Sequence, residues 1–168
     1  MTHEQQEVMS FVTEWYGVAT GARRLPDDAY FRFLALWVAF NGLYSLTFPE
    51  AKSEAAQIRS FGNWDKAKKA HAEALGTNNT LYRGAIDILG EKGVFNYLTK
   101  NVERITDIQD LQGVVRLVYR VRCNLFHGRK VPSNLRDHKL VEASHIIVSE
   151  LMRRLIEPPC IEAGLPLS

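Results

Sequence analysis

An all-α domain, arranged as an antiparallel helical bundle, is what this chain of 168 residues predicts. Three observations carry that expectation. Apolar residues recur at three- and four-residue spacing in several segments, no stretch alternates convincingly with period two, and turn residues separate the periodic runs. The length suits one domain, residues 1–168, with a sizeable core, and 46% hydrophobic with 24% charged residues is an ordinary globular balance.

Residues 4–19 place Val8, Phe11, Val12, Trp15 and Ala19 at helical spacing, which predicts an amphipathic first helix. Gly17, Gly21 and Pro26 break it up, and Asp27 and Asp28 can cap the next. Residues 30–48 are apolar nearly all round, from Phe31, Phe33 and Leu34 to Leu43, Tyr44 and Leu46. A helix apolar on every side is covered on every side, so this one is expected at the centre, ending at Pro49. The middle predicts extra short helices over residues 51–61, 64–75 and 81–89, parted by turn signals at Gly62-Asn63, Gly76 to Asn79, and Gly90. Asp107 or Asp110 opens a helix that ends near Phe126. A basic loop then leads to a last helix over residues 135–156, with Leu140, Ile147, Val148, Leu151 and Leu155 inward and Pro158-Pro159 as its stop.

Several function classes lack their residues. Cys123 and Cys160 are too few and too isolated for a disulfide framework or a zinc site, so a reducing cytoplasm is the expected compartment. Residues 1–10 carry no basic-then-apolar leader pattern. The longest apolar run, residues 31–46, is interrupted by Arg32 and Asn41 and falls short of the roughly 20 residues needed to span a bilayer. His138 and His145 lie seven apart without an evident third ligand, Gly17 and Gly21 follow no strand, and no serine elbow is recognisable. No cofactor, metal or membrane is therefore expected.

Charge is unevenly distributed. From Arg116 to Lys139 there are seven Lys/Arg against a single acid, Asp137, while the rest of the chain is net acidic. Such a cluster is what a polyanion-binding face would look like, although charge runs are often solvated faces. Within it, Arg122 and His127 stand before the helix-stopping Gly128. An arginine fork pairs with two phosphate oxygens, and a histidine, with an unperturbed pKa of roughly 6.5, moves protons near neutrality. At 100° per residue Arg122 falls inside the stripe of Leu111, Val114, Val115, Val118, Val121 and Leu125, whereas Arg116, Arg120, Asn124 and His127 fall on the opposite, polar face. Either Gly128 turns His127 back toward Arg122 or a second chain supplies the histidine.

The pair resembles the signature of the HEPN superfamily, an all-α bundle carrying arginine, four to six residues, then histidine near a helix end. Arg122 with His127 matches the four-residue spacing and Arg120 with His127 the six-residue spacing. Residues 33–44, Phe-Leu-Ala-Leu-Trp-Val-Ala-Phe-Asn-Gly-Leu-Tyr, resemble the central helix of bacterial members related to the Apea-like branch, in which Phe126-His127-Gly128 likewise ends a later helix. Cys123 departs from the small polar residue often found after the arginine, and Asn124 is its substitute one place later. The two signals cover about a quarter of the chain.

The resemblance implies a homodimeric, metal-independent endoribonuclease that leaves a 2′,3′-cyclic phosphate, acting as a toxin with an antitoxin partner or as an antiphage effector. Arg122 and His127 from both protomers would form the site, Asn124 would orient, and Arg120, Arg129, Lys130 and Arg116 would bind flanking phosphates. Two other readings remain open: a non-catalytic RNA- or nucleotide-binding module, and a dimerising scaffold. In the latter His127 caps a helix and Arg122 lays its stem on the core. Asn41 reads as a satisfied core amide, and Trp37 and Tyr44 as core.

Overall fold

The computed structural model describes residues 29–126 and 135–156, together with Gln6, Met9, Val12, Thr13, Tyr16, Gly17 and Thr20. His127, Gly128, Arg129 and Lys130 lie outside the described residues, as do the expected caps Asp27 and Asp28.

The described residues form six helices and one small hairpin: α1 (Ala29–Thr47), α2 (Glu54–Asn63), α3 (Asp65–Gly76), α4 (Thr80–Lys92), β1 (Val94–Asn96), β2 (Asn101–Glu103), α5 (Leu111–Phe126) and α6 (Leu135–Ile156). The fold is mostly helical, as the periodicity predicts, and the middle of the chain holds the three short helices. Local chemistry sets their starts. Ser53 Oγ accepts from the Ala56 amide at 3.2 Å and Asn79 Oδ1 from the Tyr82 amide at 3.0 Å, each satisfying a donor that the first helical turn leaves open. Asp110 stands directly before α5, and its carbonyl accepts from Val114 at 3.0 Å.

In α1 only Phe31 is exposed, which fits the all-round apolar pattern. Its large side chains interlock edge to face, with Phe40 centred 5.3 Å from Trp37, 5.1 Å from Tyr44 and 4.8 Å from Phe61 of α2. Val12 and Tyr16 are buried in the same cluster. Helix α6 packs on α1, α3, α4 and α5, with Leu140, Ile147, Val148 and Leu151 fully buried and Leu155 packed against the core. It runs antiparallel to α4. Arg136 at its start donates to the Lys92 and Gly93 carbonyls that end α4, and Arg154 at its other end reaches Thr77, just ahead of α4.

Helices α2 and α5 are also antiparallel, because Gly62 faces Gln112 at one end while Glu54 meets Arg122 at the other. A Cβ on Gly62 would stand 2.7 Å from the Gln112 Cα, so only glycine permits this backbone approach. A third tie is His71 in α3, which is buried. Its Nε2–H donates to the Ile108 carbonyl at 2.8 Å, and so Nδ1 accepts from the Tyr82 hydroxyl at 2.7 Å.

The hairpin was not expected from the sequence. Strands of three residues are too short to display a period of two, and β1 and β2 pair Val94 with Glu103, Phe95 with Val102 and Asn96 with Asn101. Turn chemistry rather than periodicity makes it. Asn96 Oδ1 accepts from the Leu98 amide at 2.9 Å, Lys100 takes φ +57°, and Gly93 takes φ +62° where a Cβ would lie 2.5 Å from Val102 Cγ1. Among the described residues, no helix is long and apolar enough to cross a membrane.

Candidate functional site

Arg122 sits in the last turns of α5 and points at the junction of α1 and α2. Its Nη1 lies 3.0 Å from Glu54 Oε2, with the two side chains 22% and 25% exposed. Its guanidinium carbon stands 4.4 Å from the Phe126 ring centre and 5.7 Å from that of Trp37. Glu54 owes its place to the Ser53 cap, which starts α2 at that residue and leaves the carboxylate at the positive end of the helix. Its other oxygen collects three donors from α1: the Tyr44 hydroxyl at 2.7 Å, the Trp37 indole N–H at 3.3 Å and the Asn41 amide at 3.4 Å. Asn41 also donates to Tyr44 Oη at 2.6 Å. Positions 37, 41 and 44 share one face of α1 because they are four and three residues apart.

The electrostatics of the cluster follow from this wiring. Burial raises the Tyr44 hydroxyl far above its ordinary pKa, the hydrogen bond to Glu54 and that carboxylate's charge act the same way, and Asn41 and Arg122 offset part of it. Tyr44 therefore remains a donor and has no role as a phenolate base. Tyr119, one turn before Cys123, stacks on Trp37 at 6.2 Å, and its hydroxyl is raised by burial first and then by a hydrogen bond with Cys123. Arg122 Nε is buried without a hydrogen-bond partner among the described residues. Arg122 is thus held in place by one carboxylate and two rings with its side chain 22% exposed, which suits it to contact an anion at a defined position.

Among the described residues, the other expected site residues, Asn124, Arg120 and Arg116, turn to the hairpin rather than to Arg122. Asn124 is buried, and its amide donates to the Phe95 carbonyl of β1 at 2.9 Å. Arg120 and Arg116 reach Glu103 of β2 at 3.8 and 3.6 Å. The polar face of α5 is met in part by the hairpin, a segment with no periodic signal: Asn124 and Arg120 turn to it, while the Arg116 side chain stays 57% exposed. His127, Arg129 and Lys130 lie outside the described residues, so their position relative to Arg122 is not part of this geometry.

The basic run is also neutralised in part. Glu54 and Glu103, both far upstream, come to Arg122 and to Arg116 and Arg120, and Arg136 is bound to helix-end carbonyls. Elsewhere His138 lies 3.3 Å from Glu142, and among the described residues no three His, Cys, Asp or Glu are grouped to hold a metal ion. Sequence reasoning missed Glu54 and read Trp37 and Tyr44 as core alone. Their bodies are core, but their polar ends bind the carboxylate that holds Arg122. The available signal was Ser53-Glu54 at a helix start, together with three side chains bearing polar groups, Trp37, Asn41 and Tyr44, on an otherwise apolar face.

Comparison with protein-family models, curated proteins and solved structures finds no match for this chain.

Proposed function

We propose that the chain is a metal-independent endoribonuclease of the kind its arginine–histidine motif resembles, working as a dimer. In this reading His127 takes the proton from a ribose 2′-hydroxyl, and the freed oxygen attacks the adjacent phosphorus. The bond to the 5′-oxygen breaks, that oxygen leaves as an alcohol with a proton from the histidine of a second copy, and a 2′,3′-cyclic phosphate remains. Arg122 binds the non-bridging oxygens, whose charge grows as the fifth bond forms. Asn124 contributes by fixing α5 to the hairpin. The observation that carries the reading is the placement of Arg122: ion-paired at 3.0 Å, set against two rings, part-exposed, and five residues ahead of His127.

One observation favours a second reading, a scaffold in which Arg122 is structural: the Glu54 carboxylate already answers its charge. The two are separated by incubating wild type and His127→Ala with a labelled structured RNA in EDTA and analysing fragment ends. The ribonuclease reading expects cyclic-phosphate ends from wild type alone, with RNA binding retained by the variant. Absence of both cleavage and salt-dependent RNA binding in wild type would leave the scaffold.

A further inference from the structure

Phe126 ends α5 and is 56% exposed, although the rest of that helix hides its large apolar side chains or packs them against the core. One side of the ring is not bare, since the Arg122 guanidinium lies over it at 4.4 Å. That guanidinium also lies over Trp37, and Trp37 stacks on Tyr119 at an interplanar angle of 30°. Tyr119, Trp37, Arg122 and Phe126 thus form a connected run of planar groups, buried or part-buried at its inner end and exposed at its outer end. Glu54 anchors the cationic member, so the outermost ring rests on a fixed support.

We propose that Phe126 is a nucleobase-stacking platform, and hence that the ligand of this site is single-stranded RNA or an unpaired stretch of a folded one. This rests on the ribonuclease reading and specifies its substrate class. A planar base extends the run by one layer, and stacking is open to every base because each has a π face. A base within a duplex is already stacked on both sides, so duplex RNA offers nothing to the ring. With a base on Phe126, the neighbouring phosphate comes within reach of the part-exposed Arg122 side chain. Binding is then expected to show little sequence preference and a strong preference for unpaired bases.

The test measures binding of a mixed-sequence single-stranded oligoribonucleotide, its duplex, and the same strand with abasic residues. It uses full-length protein carrying His127→Ala so that the RNA stays whole. Phe126→Ala is expected to weaken single-strand binding about 5- to 150-fold, the range that stacking on one aromatic ring supports. Phe126→Trp is expected to retain it, with quenching of the new indole by the normal strand and less by the abasic one. Single-strand binding that falls with salt yet is unchanged in Phe126→Ala overturns the platform while leaving the ribonuclease reading in place. A change in oligomeric state in Phe126→Ala with RNA affinity intact would assign the ring to a second copy and overturn it too. No salt-dependent RNA binding by the parent overturns both.

Discussion

Losing the Glu54–Arg122 ion pair should cost more than a surface ion pair and less than a fully buried one. Four groups end on it: the Arg122 fork, the Tyr44 hydroxyl, the Trp37 indole N–H and the Asn41 amide. Breaking a fully buried pair costs about 3–5 kcal/mol and an exposed one about 0–1, so a pair about three-quarters buried falls near ~2 kcal/mol. Tyr44 keeps Asn41 as a donor to it but loses the acceptor for its own proton, which adds about 1–2 kcal/mol. Glu54→Ala should therefore destabilise by ~3–4 kcal/mol. Arg122→Met keeps an apolar stem against Trp37 and Phe126 and removes only the charge. In that background Glu54→Ala should cost just the hydrogen-bond share, about 1–2 kcal/mol, a coupling of ~2 kcal/mol where independent sites add to within about 0.5. Urea unfolding of the four proteins, followed by tryptophan fluorescence, measures the cycle, with helical circular dichroism checking that each is folded. A coupling below about 0.5 kcal/mol would refute the reasoning, because the 3.0 Å pair would then contribute nothing beyond packing.

Three further outcomes are expected. Burial lowers the His71 pKa below 6.5, with the Ile108 carbonyl opposing part of the shift. The unfolded chain then holds more protons as the pH falls below about 6.5, so stability declines there by up to ~1.4 kcal/mol per unit and levels off below the folded-state pKa. The urea midpoints of wild type and His71→Asn should therefore converge between pH 7 and pH 5, and a constant gap would mean that His71 is not buried in its neutral form. Gly62→Ala should lose about 1–2 kcal/mol despite alanine's better helix propensity, because its Cβ meets the Gln112 backbone at 2.7 Å; a stabilised variant would show that α2 and α5 are not in such contact. Asn124→Ala should cost about 1–2 kcal/mol by leaving the Phe95 carbonyl unbonded, and amides of β1 should exchange faster, whereas unchanged exchange would release Asn124 from that role.

The sequence by itself determined the helices. Their signals are local: apolar residues repeating three and four apart, Ser53 and Asn79 placed to cap, and Pro49 unable to continue α1. For α6 the expected span, residues 135–156, is the span observed. Arg122 and its place near a helix end were legible for the same reason. The hairpin was not, since Asn96, Gly93 and Lys100 act through turn geometry and backbone angles that leave no periodic trace.

What only the tertiary structure decided is which polar groups meet. Seven cations between Arg116 and Lys139 read as one basic patch along the chain. In space Glu54 answers one of them and Glu103 two, while Asn124, expected on the polar face, donates to a strand carbonyl. A half-buried charge or amide takes whatever partner packing brings within reach, because leaving it without one costs more than the bond returns. That partner depends on how α2 and the hairpin are seated against α5, down to the missing side chain of Gly62, and no spacing within the α5 sequence encodes it.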